Sequence, residues 1–200
     1  MKNTTLLFAC LCSAALCINA IAATAATPQL TTLRGDSGQN YSQINFTLFS
    51  SLVEFGSLGV GEAVKFKAPK AGWKLQTVRV LGWSGYNKSS QSYPADRNIM
   101  LEIRDKDFNL LYKFADAQNN YFLSDIGPRF GEIEIPGVAV TGDFYVVYYD
   151  RGAAPIGTET TNATGNSYLF VNGQMEPAEF PLSETNETVM VNWLMEALGK

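Results

Sequence analysis

The sequence predicts an all-β chain folded as an antiparallel β-sandwich of jelly-roll type, and three observations predict it. Short segments alternate apolar and polar residues with period two. Turn residues recur about every ten positions between them. Residues 144–149 (Phe-Tyr-Val-Val-Tyr-Tyr) are apolar or aromatic on both parities. Period two sends one set of side chains inward and the other into water. Many short strands at that turn spacing close as two packed sheets.

The first element is a leader. Lys2 is followed by an uncharged apolar stretch from Leu6 to Ala22, and Ala20-Ile21-Ala22 and Ala23-Thr24-Ala25 both fit a small-x-small cleavage site. Residues 1–22 are therefore expected to be a signal peptide. The stretch is short for a membrane span, and no later segment is apolar enough to form one. All three cysteines, Cys10, Cys12 and Cys17, lie inside the leader. Too little apolar chain precedes Cys10 for a lipoprotein acylation site. The mature domain then has no disulfides, so it must rest on its core. Residues 23–42, rich in Ala, Thr, Gly, Ser and Gln, are expected to be a flexible lead-in. Residues 43–200 are expected to form the single sandwich domain.

Within that domain Ile44, Phe46 and Leu48 alternate with Asn45 and Thr47, and Val64, Phe66 and Ala68 with Lys65 and Lys67. Between Trp73 and Trp83 the phase slips: Trp73 and Leu75 share one parity, Val78 and Val80 the other. A β-bulge near Gln76-Thr77 restores a single buried face. Ile99, Leu101 and Ile103 alternate with Glu102 and Arg104, and Ile133 and Ile135 with Glu132 and Glu134. Residues 144–149 read as a central strand covered on both faces. Residues 189–198 fit a helix through Met190, Trp193, Leu194, Ala197 and Leu198, and a strand through Val189, Val191, Trp193 and Met195. The strand is preferred, because the β-branched and aromatic residues share its parity.

Composition restricts the chemistry. The net charge of −4 leaves no electrostatic footprint for nucleic acid. Residues 62–116 carry ten Lys/Arg against six Asp/Glu, a net of +4, whereas residues 152–200 carry six glutamates against Lys200, a net of −5. Such a split reads first as a solvated surface whose halves attract. With no histidine and no cysteine beyond the leader, Ser-His-Asp and Cys-His nucleophiles and His/Cys metal sites are excluded. No cofactor is expected.

Carboxylates remain. Glu132 and Glu134 lie two apart on one predicted strand, at about 7 Å, within the spacing of a glycosidase acid pair. Outward glutamates on an amphipathic strand are nevertheless commonplace. Asp105, Asp107 and Asn109 occupy the first positions of a calcium loop but lack the glycine and distal glutamate that complete one. A hairpin turn capped by Asp and Asn side chains accounts for them more simply.

Aromatic residues in polar surroundings are the other candidates. Trp83, Tyr86 and Tyr93 fall in or beside residues 82–96, a stretch too rich in Gly, Ser and Asn to be core. They are candidate ligand contacts, for a ring face can stack on the apolar face of a sugar. Sequons for N-glycosylation stand at Asn40, Asn45, Asn87, Asn162 and Asn186.

Several phrases occur together in order: Gly61-Glu-Ala-Val-Lys-Phe-Lys-Ala-Pro69, Trp73-Lys-Leu-Gln-Thr-Val-Arg-Val-Leu-Gly-Trp83, Leu101-Glu-Ile-Arg-Asp105 with Leu111-Tyr112, Gly142-Asp-Phe-Tyr-Val146, Gly165-Asn-Ser-Tyr168 and Asn192-Trp-Leu-Met195. This order resembles a β-sandwich domain of secreted or cell-surface proteins from archaea, notably methanogens, and some bacteria. The likeness covers residues 59–197. It implies the sandwich, the closing strand and an extracellular setting, and it brings no catalytic or ligand residues.

The expectation is a non-enzymatic secreted module for extracellular or envelope interaction, periplasmic in a Gram-negative host, with a glycan or an envelope protein as partner. The alternatives are a carboxylate-dependent glycoside hydrolase of jelly-roll type and a purely structural envelope subunit.

Overall fold

The computed structural model describes residues 29–181 and 187–200. The expected signal peptide and the sequon at Asn186 lie outside them. In chain order the strands are β1 (Thr31–Arg34), β2 (Phe46–Phe49), β3 (Gly61–Lys67), β4 (Trp73–Gly82), β5 (Asn98–Asp105), β6 (Leu110–Ala117), β7 (Arg129–Val140), β8 (Asp143–Tyr149), β9 (Ile156–Glu159), β10 (Ser167–Val171), β11 (Gln174–Pro177), β12 (Glu179–Pro181), β13 (Thr188–Met190), β14 (Asn192–Trp193) and β15 (Met195–Gly199). Two short helices, α1 (Ser51–Phe55) and α2 (Asn119–Phe122), interrupt them.

The strands form the all-β antiparallel sandwich that the alternation predicts. One sheet runs β1-β15-β4-β9-β14, with β2 added to β9 and β7 to β4. The other runs β11-β10-β3-β8-β5-β6, and β12 and β13 make a separate hairpin. The inward parities of β3, β4, β5, β7 and β8 supply one continuous core. Its largest members, Trp73, Trp193, Tyr148, Phe122 and Phe144, are fully buried. Each large apolar side chain so buried contributes about 1.5–3 kcal/mol, which is how the described domain manages without a disulfide.

The phase slip in β4 is a bulge. Its pairing with β7 shifts register between Leu75 and Thr77, so that Trp73, Leu75, Val78 and Val80 all face the core. Trp73 packs on Gly199, where a Cβ would lie 2.2 Å from the Lys74 carbonyl oxygen and 2.6 Å from the indole. Only glycine fits there.

Strand β8 lies between β3 and β5 and is buried along both faces. Phe144, Val146 and Tyr148 enter the core. Tyr145, Val147 and Tyr149 face outward, covered not by a further layer but by side chains of their own sheet. Phe170, Met100 and Met175 close over Val147 and Tyr149, Phe108 lies 5.1 Å from the Tyr145 ring, and the Arg104 guanidinium sits over Phe170. Beneath this cover Glu102 accepts from Arg104 and from the Tyr149 hydroxyl, with Lys113 at 3.3 Å. Burial pushes the Glu102 carboxyl up, but these donors and charges outweigh it and hold the group below the ordinary glutamate range.

The C-terminal segment is extended, as β13, β14 and β15. Trp193 faces the core and Leu194 the opposite side, where Ile44 and Leu81 receive it. Both parities are buried, which is why the apolar residues also fit helical spacing.

The flexible lead-in expected over residues 23–42 requires correction from residue 31 onward. Strand β1 pairs with β15 from Thr31 opposite Gly199 to Arg34 opposite Glu196. The next residues cross the outer side of the same sheet. Asp36 is buried and ion-paired to Arg34 at 2.8 Å, and the Tyr41 hydroxyl bonds Asp36 at 2.9 Å and Glu196 at 3.0 Å. Arg79 reaches the other Glu196 oxygen at 2.7 Å. Ser37 donates to the buried Glu159. A stretch that looks polar and loose is held by polar groups whose partners lie more than 100 residues away.

Candidate functional site

The three loop aromatics are held by different contacts. The Trp83 indole N–H donates to the Ser124 carbonyl at 2.9 Å, which ties its half-buried ring to the turn after α2. Tyr86 and Tyr93 instead meet each other, ring centroids 4.8 Å apart and tilted by 51°. The Asn87–Ser92 bridge brings them together, and the Asn87 side-chain oxygen closes the turn by accepting the Ser89 and Ser90 amides. Tyr93 is 44% exposed. The pair stands among Asn87, Ser90 and Ser92, all exposed.

The calcium candidate is a turn. The Asp105 carboxylate accepts the amides of Asp107 and Asn109 and the Asn109 side-chain amide, all within 3.0 Å. Those bonds hold its carboxyl below the usual range, the Asn109 side chain foremost. Asp107 turns away to Lys106. Among the described residues no three Asp or Glu side chains gather as metal ligands. Glu132 and Glu134 stand exposed on the outer side of β7, with Glu132 3.2 Å from Arg79. Neither lines any of the clefts described below. Of the sequons, Asn40, Asn45, Asn87 and Asn162 are exposed. The Thr164 hydroxyl of the Asn162 sequon donates to the Gly35 carbonyl, and so belongs to the fold.

Two features are not among the sequence candidates. The first is a carboxyl pair in the core. Inward parity on β3 carries Glu62 alongside Val64 and Phe66, and both Glu62 oxygens are buried, with the Ser51 side chain beside them and no well-formed hydrogen bond among the described residues. Asp150, just after β8, lies against it. Asp150 accepts the Ser51 amide at 2.6 Å, the Ser50 hydroxyl and the Gly152 amide, thereby anchoring α1. Burial, and next the charge of Asp150, push the Glu62 carboxyl well above the ordinary range. The pair is sealed in the core and serves the fold; it is not an open acid–base dyad.

The second is an apolar end of the sandwich. Phe49 lies 5.0 Å from Phe180, 4.9 Å from Trp193 and 6.1 Å from Phe55. A cleft of about 430 Å³ opens on one side between Phe55, Val60, Leu169 and Val171, with Glu176 at its border. A smaller one, about 200 Å³, opens on the other between Thr47, Phe180, Val189 and Val191, with Glu54. Val53, Phe55 and Leu58 are 82%, 46% and 47% exposed. A monomer seldom leaves so many large apolar groups together in water without use. The residues come from five separate segments, so no local sequence pattern could reveal them.

A third opening, about 590 Å³, lies between β1 and the second sheet beside Arg34, Lys65, Lys67 and Asp143. Among the described residues no helix is long and apolar enough to cross a membrane. Comparison with protein families, curated proteins and solved structures finds no match to this chain.

Proposed function

We propose that the protein is a non-enzymatic, exported β-sandwich module for interaction in the extracellular space or cell envelope, and that it contacts glycan through Tyr86 and Tyr93. One observation carries the reading: a pair of tyrosine rings, one of them 44% exposed, is held at a polar turn where it packs no core. Rings presented in this way offer a face to a sugar and two hydroxyls to its polar edge. The resemblance to secreted and cell-surface sandwich domains, and the apolar leader with its small-residue cleavage sites, support the setting. Other carboxylates that could serve a hydrolase are engaged elsewhere: Glu102 with Arg104, Asp105 in its turn, Asp150 with α1.

A glycan array followed by titration with the sugars retained tests the reading. Tyr86→Ala with Tyr93→Ala is expected to weaken binding by about tenfold or more, whereas Trp83→Phe leaves it unchanged. Retention of no sugar, or equal binding by the double variant, rejects the glycan contact.

A further inference from the structure

The apolar end carries an inference that goes beyond the tyrosine pair and stands without it. Phe55 is the centre of the surface. It borders the larger cleft and, through Phe49 and Phe180, adjoins the smaller one. Leu58, half-exposed, lies between Ser57 and Gly59, both of which line the larger cleft.

Charge gives the surface a sign. Glu54 lines the smaller cleft and Glu176 the larger. Among the described residues neither of these two meets a basic side chain within ion-pair distance, whereas Glu102, Glu132 and Glu196 all do. Uncompensated acids therefore rim the apolar clefts.

We propose that this end of the sandwich is a docking surface for a basic amphipathic peptide segment of a partner protein. Apolar side chains of the segment fill the clefts on either side of Phe55, and its lysines or arginines meet Glu54 and Glu176. An apolar centre with a charged rim is the ordinary anatomy of such a contact. Complementary rim charge speeds encounter and makes it salt-sensitive.

The test uses the mature protein and a fluorescent synthetic leucine/lysine amphipathic helix. Its controls are the same helix with glutamate for lysine, a serine/lysine peptide of equal charge, and anionic phospholipid vesicles. The leucine/lysine helix alone is expected to bind, with an affinity that falls as salt rises. Phe55→Ser with Leu58→Ser should weaken it by about tenfold or more. Glu54→Lys with Glu176→Lys should transfer preference to the glutamate helix. The replaced side chains are exposed, and an unchanged thermal transition verifies that each variant is folded. Absence of binding, equal binding of the serine/lysine peptide, binding of vesicles in place of the helix, or indifference to both double variants overturns the proposal. Failure here leaves the tyrosine reading untouched, since no residue is shared.

Discussion

Glu62 and Asp150 lie against one another inside the core, and the groups that close around them are Tyr148 of β8 and Ser51 of α1. The raised Glu62 carboxyl binds its proton more tightly in the folded than in the unfolded chain. Stability from this group is fully present below its unfolded value near 4.5 and is lost as pH rises through the folded value. Unfolding free energy should therefore decline on the alkaline side of pH 5. Glu62→Gln should flatten that decline and raise stability at pH 8 by about 1–3 kcal/mol. Denaturant unfolding at pH 5 and pH 8 measures both, and parallel pH profiles for the two proteins would refute the assignment.

Asp150 is the anchor of α1. Asp150→Ala strands the Ser51 amide and the Gly152 amide and should cost about 2–4 kcal/mol. The loss should be local first: amides of residues 50–56 should exchange faster than those of β8. Uniform acceleration across the core would show instead that α1 is not separately latched.

The polar crossing of residues 35–42 is predicted to be part of the folded unit. Tyr41→Phe removes the hydroxyl shared by Asp36 and Glu196 and should cost about 1–2 kcal/mol. A protein beginning at residue 43 loses β1 as well, exposing the edge of β15, and should aggregate. A soluble, cooperatively folding truncated protein would return the boundary to residue 43.

The exposed glutamates are predicted to be dispensable. Glu132→Gln and Glu134→Gln should each change stability by about 0.5 kcal/mol or less. A hydrolase assay in which either substitution abolished sugar release would revive the catalytic alternative.

Calcium should leave the thermal transition where it is, because the Asp105 oxygens already accept donors of their own turn. Asp105→Ala should lower the thermal transition by the same amount whether calcium or a chelator is present. A calcium-dependent shift lost in that variant would contradict this.

The parts of the fold legible in the sequence are those where one face is wet. The slip between Leu75 and Val78 marks its bulge because parity is unambiguous on both sides of it. Residues 189–198 are ambiguous because Trp193 and Leu194 are buried on opposite faces, which removes the period. β1 is four residues long and is held through Arg34, Asp36 and Tyr41, whose network closes on residues no local window contains. Glu62 is legible in principle: its parity matches Val64 and Phe66, and an acid on an inward parity is the signal. Tyr86 and Tyr93 stand out as aromatics in a polar stretch, but only the structure separates Trp83 from them. The acidic apolar end depends on contacts between distant segments and has no linear signature.

The register of β1 on β15 has a mechanical consequence. Thr31 stands opposite Gly199, so the chain entering β1 and the chain leaving β15 run side by side. Tension applied between those two points unzips the strands one backbone bond at a time. Glu62 and Asp143, by contrast, sit at diagonal corners of the β3–β8 pair, and pulling there loads all of its bonds together. The molecule should yield easily in the first geometry and resist in the second.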